Sequence, residues 1–261
     1  MRLWIMSDLH VELTRGWDLP PVGERPPFDV MIVAGDLVTR MERGVRWLLE
    51  RVADRMVLYV PGNHEMFGAD IDRTVEKARQ AAAGSNIRIL QNGSETIGDC
   101  LFVGATFWTD FELFGNRAYA MNRAGEVMND YRRIRKRCYA ERLRPIDTVV
   151  RHRESREFIA RTIRATSARR KVVITHHGCV RQAVRQGMED DIISAAYVSD
   201  CPELLDGVDV WIYGHTHERR EFRLCGKRTL IISNAKGYGP WMPIENKWEN
   251  ASFDPNCVIE V

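Results

Sequence analysis

The sequence predicts an α/β fold, and two observations carry it. Short β-branched apolar runs alternate with longer segments of helical periodicity along most of the chain. The runs are apolar almost throughout rather than at every second position, which is the pattern of sheets covered on both faces. Residues 3–6, 30–33, 56–60, 87–90 and 101–103 read as a first set of strands. Between them, residues 40–54 place Val45, Leu48, Leu49 and Val52 at helical spacing, and residues 70–83 open on an N-cap aspartate and stop at Gly84. Residues 172–174, 208–213, 222–224, 230–232 and 258–261 read as a second set. The stretch from about 109 to 168 breaks the rhythm with few strand signals and many arginines, and reads as a mostly helical insertion forming a cap. The proline-rich stretch 19–27 reads as an extended surface loop.

A chain of 261 residues, 44% of them hydrophobic, can bury its core as one domain spanning 1–261. The formal charge is +2 with 28% charged residues, so the bulk balance calls for neither a nucleic-acid nor a membrane partner. The first residues lack a long apolar stretch, and no segment approaches the length of a membrane span. Six scattered cysteines form no C-x-x-C pair, which predicts a reducing, cytoplasmic location. Cys179, three residues after His176, reads as a small apolar filler.

Six of the seven histidines fall in short blocks at or just past strand ends. The blocks are Ser7-Asp8-Leu9-His10, Gly35-Asp36, Gly62-Asn63-His64-Glu65, Thr175-His176-His177 and Gly214-His215-Thr216-His217. Loops at the carboxyl ends of strands gather on one edge of an open sheet, so distant blocks converge there. Carboxylate, imidazole and carboxamide groups without thiolates describe a site for two transition-metal ions, of manganese, iron, zinc or cobalt type, with an imidazole left over.

Five blocks in this order resemble the calcineurin-like metallophosphoesterases, whose pattern is D-x-H, G-D, G-N-H-D/E, an isolated His and G-H-x-H. The resemblance implies a four-layer α/β/β/α sandwich of two mixed sheets flanked by helices. It implies that Asp8, His10, Asp36 and His217 hold one ion, and that Asp36 bridges to a second held by Asn63, His176 and His215. The two ions, divalent or mixed-valence and about 3.5–4 Å apart, would activate a bridging water for attack on phosphorus. His64 matches the position that faces the leaving group, so the catalytic pair would be His64 and Asp36. A phosphodiesterase is the leading expectation, with a phosphomonoesterase, a nuclease or a non-catalytic metal-binding scaffold as alternatives. Segments 104–111, 130–134 and 250–255 further resemble a bacterial subgroup, from which Gly178-Cys179 departs after the double histidine.

The substrate side is written more faintly. His177, Arg132, Arg133 and Tyr238 are candidate substrate contacts, with the arginines as phosphate clamps and Tyr238 on a rim loop. Glu65 reads as a hydrogen-bonding support. Residues 132–144 carry seven Lys/Arg against one acid, a patch that suits either a polyanion or a solvated helix face. His152, between two arginines, reads as solvated, and Phe107, Trp108, Phe111 and Tyr119 read as core. A small or medium phosphate ester is the expected partner.

Overall fold

A computed structural model describes residues 1–242 and 247–261. Strands β1 (Arg2–Met6), β2 (Val30–Ala34), β3 (Met56–Val60) and β4 (Ile87–Ile89) join β13 (Val258–Glu260) in one sheet of order β13-β1-β2-β3-β4. A second sheet, ordered β11-β12-β10-β9-β6-β5, contains β5 (Gly93–Ile97), β6 (Cys100–Ala105), β9 (Arg170–Thr175), β10 (Val210–Tyr213), β11 (Arg219–Phe222) and β12 (Leu230–Asn234). Neighbours within β1 to β4, and within β6, β9, β10 and β12, run parallel, whereas β13, β5 and β11 add antiparallel edges. A small hairpin pairs β7 (Arg135–Lys136) with β8 (Glu141–Arg142). The longer helices are α1 (Met41–Arg51), α2 (Ile71–Ala82), α3 (Arg117–Val127) and α5 (Pro145–Ala165), with the single turn α4 (Asp130–Arg133) between the last two.

The layering follows from strand alternation. Leu3, Ile5, Ile32 and Leu58 pack with Phe102, Val172, Ile174 and Ile212, closing the space between the two sheets. The intervening residues Trp4, Met31, Val57 and Tyr59 face the helix residues Val45, Leu48, Val75 and Ala78. On the second sheet, Val103, Val173 and Trp211 meet Ile159 and Ile163 of α5. This is the four-layer sandwich with mixed sheets, and each large apolar side chain so buried contributes about 1.5–3 kcal/mol. Asp70 caps α2 as its sequence position predicts, accepting from Asp72 and Arg73 N–H groups at 3.1 Å. No helix among the described residues is long and apolar enough to cross a membrane.

Several expectations change. The segment 109–168 divides: α5 lies on β6 as a layer of the sandwich, while its earlier part approaches the carboxyl edge of the strands. The buried face of α5 is Thr148, His152, Ser155, Ile159 and Ile163, a stripe too polar to stand out by composition. His152 on that stripe is only 2% exposed, not solvated, and Tyr119 is exposed rather than core. Strand β5 carries no apolar run because its sequence Gly-Ser-Glu-Thr-Ile belongs to a half-exposed edge, and β11 (Arg219–Phe222) begins before the expected 222–224. Lys136 pairs with Glu141 and Asp147, Arg137 with Glu141 and Arg144 with Asp147, so local ion pairs take up much of the basic patch.

Candidate metal centre

All five blocks leave the carboxyl ends of β1, β2, β3, β9 and β10 and turn toward one another. The turns are strained. Asp8, His10, Asp36, His215 and His217 have φ of 53°, 45°, 54°, 68° and 53°, left-handed angles that residues with a Cβ rarely adopt. Backbone bonds over-determine them: Asp36 Oδ1 accepts the His64 N–H at 2.8 Å, and both Asp8 oxygens accept the His215 N–H at 3.0 Å. Two glycines make room for this. A Cβ on Gly62 would strike Asp36 Oδ1, and one on Gly214 would lie 2.6 Å from Asp8 Oδ2.

The donor atoms meet in overlapping groups: Asp8, His10 and His217; His10, Asp36 and His64; and Asp36, His176 and His215. His176 shows what the arrangement suits. Its Nδ1 lies 2.9 Å from the Ala34 carbonyl, to which it donates, so Nε2 carries a lone pair. That nitrogen faces Asn63 Oδ1 at 3.0 Å, His215 Nδ1 at 3.1 Å and Asp36 Oδ1 at 3.3 Å. Asn63 can present only its oxygen, because its Nδ2 donates to Asp130 Oδ1 at 2.8 Å. In the neighbouring group, His10 Nε2 and His217 Nε2 face each other at 3.1 Å, with Asp8 Oδ1 3.5 Å from the latter. Lone pairs crowded in this way need a cation, and the donor set fits divalent ions. With protons alone, burial opposes charge on His176 but Asp36 holds its imidazole up to about 10. Burial likewise opposes ionisation of Asp36, yet His176 and His64 hold it well below the usual carboxylate range.

A ring of acids orients these donors. Glu249 Oε2 accepts from His217 Nδ1 at 2.6 Å, and Glu12 Oε1 lies 3.1 Å from His64 Nδ1. Glu65, fully buried, accepts from the N–H groups of Asp36, Leu37 and Gly62 and from the Tyr59 hydroxyl at 2.6–2.9 Å, which locks two donor-bearing loops together. Burial and the Asp36 charge push Glu65 up to about 7. Sequence reasoning reached Glu65 but missed the roles of Glu12, Asp130 and Glu249. Glu12 follows His10 by two residues and Asp130 opens the Asp-Tyr-Arg-Arg run, whereas nothing local marks Glu249.

A cleft of about 460 Å³ opens over Asp36, Asn63, His64, His215 and His217. Phe67, Met128, Val184, Met188 and Ile193 give it an apolar wall, and Tyr197 stacks on His215 with centroids 4.4 Å apart. Of the four candidate substrate contacts, Arg133 and Tyr238 line the cleft. Arg132 turns away onto the Glu126 carbonyl. His177 is buried with its Nδ1 on the Thr106 carbonyl at 3.1 Å, because adjacent residues at a strand end point to opposite sides. Its ring packs behind His215, with centroids 4.2 Å apart, and burial and His176 lower its pKa to about 3.

A family model described as calcineurin-like phosphoesterase matches residues 1–219. The chain belongs to that family. Among solved structures, this family member is similar to phosphopantetheinyl hydrolase (PptH) from Mycobacterium tuberculosis, at 19% identity and a TM-score of 0.66 over 90% of this chain and 89% of that one. A hypothetical protein from Thermus thermophilus matches at 17% identity and TM-score 0.41, over 89% and 75% of the two chains. The calcineurin-like phosphoesterase YfkN from Bacillus subtilis matches at 12% and 0.41, over 88% and 80%. No curated protein matches. At 19% identity the PptH likeness speaks for the fold. Family membership and the His/Asp clusters make this calcineurin-like phosphoesterase a metal-dependent phosphoester hydrolase.

Proposed function

We propose that the protein is a phosphodiesterase in which Asp8, His10, Asp36 and His217 hold one ion, Asn63, His176 and His215 hold a second, and Asp36 bridges them. Bound divalent ions supply Lewis-acid activation of water and neutralise charge on the phosphoryl oxygens. An all-nitrogen and oxygen donor set suits manganese, iron, zinc or cobalt. His64 delivers a proton to the leaving oxygen. Burial opposes its charge, yet Asp36 and Glu12 raise the imidazole to about 9, and Glu12 on Nδ1 leaves Nε2 for the substrate.

The cleft carries the preference for a diester. Among its described lining residues, Arg185 is paired with Glu249 at 2.8 Å, while Arg133 has no described carboxylate partner and lies over the Phe67 ring. One uncommitted cation beside Asp130 and Glu249 suits a phosphate of single charge better than a doubly charged monoester. The apolar wall leaves room for a second organic group.

The mixed lining, with Asn129 and Ser194 among methionines and valines, also favours a longer amide-bearing arm. A phosphopantetheinyl ester, the group that names the Mycobacterium tuberculosis protein, is therefore a second candidate.

Metal-stripped protein, reconstituted with Mn²⁺, Fe²⁺, Zn²⁺ or Co²⁺, tests the reading on bis(p-nitrophenyl) phosphate, p-nitrophenyl phosphate and a phosphopantetheinyl ester. Faster diester turnover is expected, lost with the metal in Asp36→Asn and His215→Ala. Faster monoester turnover would reverse the preference. Activity on polynucleotides that falls steeply with salt would favour a nuclease. Absence of turnover despite bound metal would favour a scaffold.

A further inference from the structure

Away from the paired clusters, Asp110, His152 and Cys201 bring a carboxylate oxygen, an imidazole nitrogen and a thiol sulfur within 4.8 Å of one another. They come from three places: the loop after β6, the middle of α5, and the residue before a 3-10 turn at Pro202–Leu205. His152 is the informative member. Its Nδ1 lies 2.9 Å from the Phe107 carbonyl, and since a carbonyl only accepts, that nitrogen carries the ring proton. Nε2 is then a bare lone pair, buried with no hydrogen-bond partner, on a residue 2% exposed. It faces Asp110 Oδ2 at 3.9 Å, another acceptor that cannot satisfy it. The other Asp110 oxygen is already used, accepting from Ser199 Oγ and the Glu112 N–H at 3.1 Å, which fixes the carboxylate with Oδ2 turned toward the ring.

We propose that Asp110 Oδ2, His152 Nε2 and Cys201 Sγ form a further metal site for a zinc-type divalent ion, with water as the fourth ligand. Tetrahedral zinc with nitrogen and oxygen near 2.0–2.2 Å and sulfur near 2.3 Å holds its donors about 3.3–3.8 Å apart. The separations, up to 4.8 Å, therefore need to close by up to about 1.5 Å, within reach of side-chain rotation. The donor set is softer than that of the paired clusters because it alone includes sulfur, which favours zinc over magnesium or calcium. Burial pushes the Cys201 thiol up to about 12, so it keeps its proton until the ion displaces it, and binding releases that proton to solvent. Asp110 is partly exposed and gives the ion a way in.

The ion would fasten a strained loop. Phe107, Trp108 and Phe111 have φ of 73°, 41° and 59°, and Trp108 packs on His177, which backs His215. The site thus braces, from behind, one wall of the paired centre.

The sulfur provides a test independent of turnover. Cysteine is absent from the ligands proposed for the paired centre, so a thiolate-to-cobalt charge-transfer band in Co²⁺-loaded protein reports this site alone. Exposed Cys138 and Cys225 are first changed to serine to remove adventitious thiols. In that background the band should appear, with one more bound equivalent of metal than in Cys201→Ala, and should vanish in Cys201→Ala. Asp110→Asn, which keeps the side chain's shape, should weaken Co²⁺ binding at this site at least tenfold while the protein remains folded by circular dichroism. Absence of the band, its persistence in Cys201→Ala, or equal metal counts in both proteins would overturn the proposal.

Discussion

Changing Glu65 to glutamine tests how the loops of the metal centre are held. In the native chain Oε2 accepts from Asp36 N at 2.9 Å and Gly62 N at 2.7 Å, while Oε1 accepts from Leu37 N at 2.7 Å and Tyr59 Oη at 2.6 Å. An amide nitrogen in place of Oε2 would confront two N–H groups. In place of Oε1 it confronts the Leu37 N–H at 2.7 Å and, more weakly, the Val38 N–H at 3.4 Å, because the Tyr59 hydroxyl can rotate and accept. Glutamine therefore adopts the second orientation. One buried N–H left without an acceptor costs about 1–3 kcal/mol. The remaining bonds lose their charge assistance, but the variant also loses the burial penalty and Asp36 repulsion that push the native carboxyl up to about 7; these two offset, and the net loss is that of the unsatisfied N–H, about 1–3 kcal/mol. Urea unfolding of metal-free Glu65→Gln, run well above pH 7 so that the native carboxylate is ionised, should show this loss with an unchanged m value. Metal affinity should fall as well, because Asp36 and Asn63 ride on the two loops that Glu65 joins. Stability within about 0.5 kcal/mol of the native chain would refute the claim that this carboxylate locks those loops.

His64→Ala should keep its metal while kcat falls about 10²–10⁴-fold, the usual worth of a positioned proton donor; metal analysis alongside kinetics checks it, and loss of metal would mark His64 as a ligand instead. Asp130→Ala should free the Asn63 amide to turn, weakening metal binding about 10–100-fold as measured by calorimetry, with little change at the ligands farther from Asn63. Lys236 is wholly buried, and burial lowers its ammonium to about 8. Since the folded value lies below the unfolded one, its contribution is present above about pH 10.5 and is lost as pH falls through about 8, a change on the order of 3 kcal/mol. Lys236→Met should remove that slope from the pH dependence of metal-free stability, measured as the difference between the two proteins.

Some of this was legible locally. The apolar runs at 30–33 and 56–60 declare strands covered on both faces, because neither shows the alternation of a half-wet sheet. The Asp70 cap and the Gly84 stop frame α2 by backbone chemistry that needs no partner. The blocks around Asp8, Asp36, Asn63, His176 and His215 stand out because each joins metal-binding side chains to the end of a strand. Strand β5 and the buried face of α5 did not stand out. Their burial is set by the neighbours they meet, and Gly-Ser-Glu-Thr-Ile or Thr148–His152–Ser155 carries little apolar signal of its own.

The sequence by itself determined the α/β class, the blocks that carry the chemistry, and their order along the chain, since these depend on spacing within a few residues. Only the tertiary structure decided which atoms meet. Glu249 reaches His217 across 32 residues and Asp130 reaches Asn63 across 67, separations over which no local pattern can report. It also separated His176 from His177, turning one into the donor cluster and the other into its backing. The same packing buried His152 beside Asp110 and Cys201, because the register of α5 on β6, not the two flanking arginines, sets which face of that helix loses its water.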